Sequence, residues 1–238
     1  MFTPNYDSIY KKHFANEVLY WLPMDTKELY EKNLKEKYQL LKLNNWIDKS
    51  FTYKFNSHGF RCEEFTDDPT IMFLGCSNTC GIGLPLESIW PEIVSNNLNM
   101  HCANLGMGGA SNDTTFRMCH GWIDKINPKL VVLNCPPTPR IELARFNEYD
   151  FLNINNQISN LKNINEFMKD WISDENNIYF NQLKNVLAIE NLCIHNNIKC
   201  IKFSYLEFNS FYVDYARDLN HLGVKSNKNF AEHVLAKI

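Results

Sequence analysis

Near its start the chain sets apolar residues into polar surroundings at helical intervals. Leu29, Tyr30, Leu34, Tyr38 and Leu41 recur at the three-to-four-residue spacing that builds one apolar stripe on a helix. Asp25 with Glu28 three positions on has the form of a capping box ahead of that stripe. Residues 1–50 are therefore expected to form a helical extension packed on the core. Phe51–Phe55 alternates instead, as an edge strand does. From residue 70 the rhythm changes again. Thr70–Leu74, His101–Leu105, Leu130–Cys135 and Lys199–Tyr205 are short strand-like runs. Helical stretches separate them near Ser88–Asn96, over Asn112–Ile126 and over about residues 180–196, and a last one covers Val224–Lys237. Phe116, Cys119, Trp122, Ile123 and Ile126 form the buried stripe of the second. Apolar strands alternating with helices indicate a parallel sheet covered on both faces, with its ligand site beyond the carboxyl ends of the strands. The stretch from Pro136 to about Asn177 is too long for an ordinary connection and is expected to be a partly helical insertion near that edge.

Composition narrows the function. A chain of 238 residues suffices for one sizeable core with an elaboration. The net charge of -3 gives no electrostatic reason to expect nucleic acid or an anionic membrane as partner. No apolar run approaches the ~20 residues of a membrane span. The first residues, MFTPNYDSIYKKHF, lack the charged-then-apolar order of a signal peptide. A soluble, cytoplasmic protein is expected. Eight cysteines fit that expectation as free thiols: Cys102, Cys135 and Cys200 sit in apolar runs, where a thiol packs as a small hydrophobe. Cys76 and Cys80 suggest a metal pair, but no second Cys or His pair stands at zinc-like spacing. No metal site and no cofactor are expected.

Three strand ends carry chemistry. Thr70–Leu74 runs into Gly75-Cys76-Ser77-Asn78-Thr79-Cys80-Gly81-Ile82-Gly83, which puts a serine hydroxyl and the following N–H groups at the ligand edge. That arrangement suits a nucleophile with an oxyanion site, and equally a phosphate loop or a plain turn. The second strand ends at Asn104-Leu105-Gly106-Met107-Gly108-Gly109-Ala110-Ser111, where glycine lets the backbone approach a ligand and Ser111 or Asn112 caps the next helix. Near the C-terminus Asp218 stands three residues before His221, so that the carboxylate can orient the imidazole and leave its other nitrogen to take a serine proton. Otherwise His221 merely caps or packs against the last helix.

Taken in order, these segments resemble the SGNH (GDSL-like) hydrolases. Gly75-x-Ser77-x-Thr79-x-Gly81-x-Gly83 is similar to the family's first block, with Cys76 where an Asp is usual. Asn104-x-Gly106-x-x-Gly109 resembles the second, with Gly109 at the oxyanion glycine, and Asp218-x-x-His221 the last. Asn56-Ser57-His58-Gly59-Phe60-Arg61 is similar to a stretch preceding the nucleophile in some members. The resemblance covers roughly residues 51–135 and 200–238. It implies a three-layer α/β/α domain over 51–238 with a flavodoxin-like parallel sheet, interrupted by the 136–177 insertion. It also implies a metal-free serine hydrolase acting on a carboxylic ester or on an O-acetyl group of a carbohydrate. Ser77 would be the nucleophile, His221 the base and Asp218 its orienting acid, with the N–H groups of Ser77 and Gly109 holding the oxyanion. The third block departs from the pattern. The family's Gly-x-Asn-Asp is replaced by Asn134-Cys135-Pro136-Pro137-Thr138-Pro139-Arg140, so the Asn donor is replaced by Thr138 or Asn134, or by Asn78 or Arg140. An acyltransferase would use the same residues, and a binding module could keep the fold with little turnover. Nothing in the sequence sets an oligomeric state.

Overall fold

The structure, a computed structural model, describes residues 14–145, 150–155 and 166–238. The first part holds β1 (Val18–Leu19), α1 (Lys27–Glu36), α2 (Tyr38–Leu43) and β2 (Tyr53–Lys54). Then follow β3 (Thr70–Leu74), α3 (Ser77–Cys80), α4 (Trp90–Leu98), β4 (His101–Asn104), α5 (Asn112–Ile126) and β5 (Leu130–Asn134). A hairpin of β6 (Arg140–Arg145) and β7 (Asp150–Asn155) leads to α6 (Glu166–Ser173) and α7 (Glu175–His195). The chain closes with β8 (Lys199–Phe203), α8 (Tyr205–Asn209) and α9 (Val224–Leu235).

The four main strands pair in parallel in the order β4-β3-β5-β8. Counted along the chain this is the flavodoxin-like order 2-1-3-4, whose ligand crevice opens where the order reverses, beyond the carboxyl ends of β3 and β5. Side chains of a strand alternate between faces, and the core divides accordingly. Met72, Leu74, Val131 and Leu133 face one way, onto Met118, Cys119 and Trp122 of α5 and Val186, Ile189 and Cys193 of α7. Ile71, Phe73, Leu130 and Val132 face the other, onto Trp90 and Val94 of α4 and Phe230, Ala231 and Val234 of α9. The result is the expected three-layer α/β/α fold.

Four details differ from the sequence expectation. The cap of α1 is Thr26, whose hydroxyl accepts from Leu29 N–H at 3.1 Å; Asp25 is buried and bonded elsewhere. The first fifty residues are not helical throughout, and residues 1–13 lie outside the described residues. The expected edge strand at Phe51–Phe55 pairs as β2 with β1 in a separate antiparallel ribbon. Within the insertion the chain first makes the β6–β7 hairpin, with Arg140–Arg145 paired antiparallel to Asp150–Asn155. Residues 146–149 and 156–165 of that insertion lie outside the described residues.

Candidate active site

β3 delivers the chain to the crevice, and Cys76, in extended conformation, precedes the single-turn helix α3 that starts at Ser77. As the first residue of a helix, Ser77 has an N–H without an intrahelical acceptor. A buried cation behind the turn holds it in place. Arg61, 1% exposed, donates to the carbonyls of Cys80 (3.0 Å), Gly81 (2.5 Å) and Leu84 (2.5 Å), and its guanidinium lies over the Tyr53 ring at 4.5 Å. Burial lowers the pKa of Arg61, and burial also pushes the Cys80 thiol up to about 11. The stretch Asn56–Arg61 thus supports the turn that carries Ser77. Asn56 Oδ1 accepts from the N–H groups of His58 and Phe60, both at 3.0 Å, and so shapes the bend that sends Arg61 inward.

The loop bearing Asp218 and His221 leans on the same turn. Arg217 N–H donates to Gly83 O at 3.0 Å, and a Cβ on Gly83 would lie 2.8 Å from Ala216 Cβ. With φ +80 as well, position 83 admits glycine alone without strain. Asp218 is fully committed: Oδ1 accepts the N–H groups of Asn220 and His221 at 3.1 Å, and Oδ2 contacts His221 Nδ1 at 2.5 Å. The imidazole is therefore fixed by Nδ1, with Nε2 left for another partner. The side chains are 8% and 0% exposed for His221 and Asp218, so the pair is shielded from water on the acid's side.

The extension pins this loop from outside. Arg217, 2% exposed, reaches back to Asp25, with Nη2 to Oδ2 at 2.7 Å and Nε to Oδ1 at 3.2 Å, and Nη2 also donates to Tyr20 O at 2.9 Å. The Tyr53 hydroxyl donates to the same Asp25 carboxylate and accepts Gly83 N–H at 2.8 Å. Burial, then the charge of Asp25, pushes the pKa of that phenol far up, which keeps it a donor. Asn33 Nδ2 donates to Asp218 O at 3.3 Å, and Trp46 Nε1 to Tyr215 O at 2.7 Å. None of these partners was visible in the motif spacing.

Ser77 and His221 line one cavity of about 410 Å³, together with Cys76, Asn78, Arg140, Tyr205, Asn209, Asn220 and Leu222. Met24 and Leu29 of the extension complete its wall. No hydrogen bond joins Ser77 Oγ to His221 Nε2 among the described residues; in hydrolases without ligand such contacts are commonly long and tighten on substrate binding. Of the four residues weighed for the missing donor, Asn78 and Arg140 line this cavity, and Thr138 and Asn134 do not. Arg140 is steadied by Nη1 donating to Ala110 O at 3.2 Å. Gly109 lies next door, with φ +76 and open space where a Cβ would stand, lining an apolar cavity that shares Met24 with the first. All eight cysteines are free thiols, and no metal-like cluster of His, Cys, Asp or Glu occurs among the described residues. Nor is any described helix long and apolar enough to cross a membrane.

In overall course the chain is similar to solved structures of esterases. One is described as a lipolytic protein of the G-D-S-L family from Desulfitobacterium hafniense DCB-2, at 11% identity and TM-score 0.39, over 71% of this chain and 99% of that one. Another is an acetyl xylan esterase, AlAXEase, at 16% identity and TM-score 0.38, over 71% and 99%. A third is the psychrotrophic esterase EstA from Pseudoalteromonas sp., at 12% identity and TM-score 0.38, over 71% and 96%. No protein-family model matches the chain, and no curated protein matches it. At such identities the likeness assigns no residue, and the site rests on its own geometry.

Proposed function

We propose that this protein is a serine esterase of the SGNH type. Ser77 Oγ attacks the ester carbonyl carbon while His221 Nε2 takes its proton. The N–H groups of Ser77 and Gly109 receive the developing oxyanion, with Asn78 or Arg140 as the third donor. As the tetrahedral intermediate collapses, His221 returns the proton to the departing alkoxide and an acyl-Ser77 ester remains. Water, deprotonated by His221 in turn, attacks that ester, and His221 then passes the proton to the departing Ser77 Oγ as the acid is freed. Asp218 orients the imidazole throughout and balances the charge it acquires. Asn78, Arg140, Tyr205, Asn209 and Asn220 give the cavity a polar wall suited to a polar alcohol, as in a carbohydrate ester.

One observation carries this reading. The Asp218–His221 contact of 2.5 Å leaves a histidine nitrogen free in the very cavity that Ser77 lines. A fluorophosphonate probe tests it. Labelling of Ser77 alone, abolished in Ser77→Ala, is expected; labelling at another serine, or labelling that survives the substitution, overturns the assignment.

A further inference from the structure

The second cavity is smaller than the first and mainly apolar where the first is mainly polar. It measures about 130 Å³ and is lined by Phe14, Leu22, Pro23, Met24, Phe55, Cys80, Ile82, Gly108 and Gly109, with no ionisable group but a buried thiol. Its position relative to the reaction centre follows from two residues. Cys80 closes the single turn that Ser77 opens, and at 1.5 Å per residue the two stand about 5 Å apart along the helix axis. Gly109, placed above beside the oxyanion, forms part of its wall. A carbonyl at Ser77 with its oxygen on Gly109 N–H would therefore send its acyl substituent into this apolar space and its alkoxy substituent into the polar one.

The partition between the two cavities has an unusual backbone. Leu22 and Asp25 exchange both N–H···O bonds (3.2 and 3.0 Å), so that Pro23 and Met24 form the tip of a tight turn. Met24 has φ +79, the left-handed region that the third position of a type II turn reserves for glycine. Proline at the second position is usual there; methionine at the third is not. A strained residue persists where the surroundings over-determine it, and such sites cluster at ligand clamps. Here the next residue, Asp25, is locked to Arg217 beneath the catalytic loop, and the side chain so presented borders both cavities.

We propose that the 130 Å³ cavity is the acyl-binding site, that it selects an apolar acyl group of about four to six carbons, and that Met24 is the residue setting that limit. The size follows from comparison with an engineered cavity of ~150 Å³, which takes up benzene. Acetate would leave most of the space empty, whereas a decanoyl chain would overrun it. The proposal rests on the esterase reading given above.

The test measures kcat/KM for p-nitrophenyl acetate, butyrate, hexanoate and decanoate on the full chain. Each methylene that finds apolar cover should raise kcat/KM by about fourfold, so the profile should climb from acetate to butyrate or hexanoate and fall at decanoate. Ile82→Phe narrows the cavity and should move the optimum toward acetate. Met24→Gly removes the partition, suits the turn better and should move the optimum toward decanoate. Because Met24 is 46% exposed, this second variant keeps the test valid if the first fails to fold. Acetate as best substrate in the wild type, with rates falling at every added methylene, overturns the acyl site and leaves the esterase standing. A chain-length profile unchanged in folded Met24→Gly overturns the role of Met24. Turnover of none of the four esters removes the esterase reading and the acyl site with it.

Discussion

Asp218 bonds two backbone N–H groups and one imidazole nitrogen, so its removal would disturb both the turn and the tautomer. In the proposed mechanism His221 acts on the reacting atoms directly. In a comparable hydrolase, loss of the base costs about 10⁶-fold in kcat and loss of the acid about 3 × 10⁴-fold. His221→Ala should accordingly lose the larger share of turnover, and Asp218→Asn less, each measured on protein whose melting curve shows it folded. Full activity in a folded His221→Ala protein would end the mechanism. Met24 permits a stability measurement of its own: a left-handed residue with a Cβ costs roughly 1–2 kcal/mol, so Met24→Gly should raise the denaturant midpoint with an unchanged slope. At this scale the sequence was informative where chemistry imposes spacing. Ser77, Asp218 and His221 each stand at a fixed offset from a strand end or from one another. Asn78 and Arg140 could be named beforehand only as two among four, because which side chain enters a cavity depends on the loop's path.

The elements around the site are held by buried cations, and these were the least legible features. Asp25 read as a helix cap because carboxylates favour the positions just before a helix; burial opposite Arg217 overrode that preference one residue short of the true cap. Nothing within either segment marks the other, since the partners lie 192 residues apart. Breaking such a pair leaves an uncompensated buried charge and costs about 3–5 kcal/mol, whereas apolar replacement of both partners is often neutral. Asp25→Ala should thus fall by that amount in chemical denaturation. The double variant Asp25→Leu/Arg217→Met should recover most of the stability without the turnover, because the loop bearing Asp218 and His221 loses its pin either way. The insertion is tied down by the same device. Glu142 of β6 pairs with Arg117 of α5 at 2.7 Å, both side chains about 5% exposed or less, and accepts from Thr114 at 2.8 Å. Asp113 adds bonds to Glu142 N–H and to Asn181 and Asn185 of α7. Glu142→Ala should destabilise by a similar ~3–5 kcal/mol. The hairpin was overlooked because its burial runs against its sequence pattern, with the Glu142 side chain buried and Leu143 exposed, while the helix that follows matches the expected helical content.

Across the whole molecule, legibility followed the range of the interaction. β3, β4 and β5 are buried almost throughout and betray themselves locally, and the more exposed edge strand β8 still shows as a short apolar run, so all four runs and the helices between them were found. The sheet order was legible only through the family resemblance, whose flavodoxin-like arrangement the strands follow; the ribbon made with β1 depends on contacts across the chain and was not readable. The site is consequently a seam between a regular sheet and an irregular wrapping. In urea, wild-type turnover and intrinsic fluorescence should fall together, as in a single cooperative transition. In Asp25→Ala turnover should fall first, because the wrapping then opens locally while the sheet persists. The Asp25–Arg217 clasp has a further consequence, one of timing. A ribosome releases the N-terminal segment and Ser77 early, when their partners at Arg217 and His221 have yet to be synthesised. Domains generally fold as units during synthesis at about 5–20 residues per second, so Ser77 precedes His221 by roughly 7–29 s. On the proposed mechanism Ser77 stays chemically silent throughout that interval, and it is armed only when the segment bearing Arg217 and His221 folds back against the part of the chain made first.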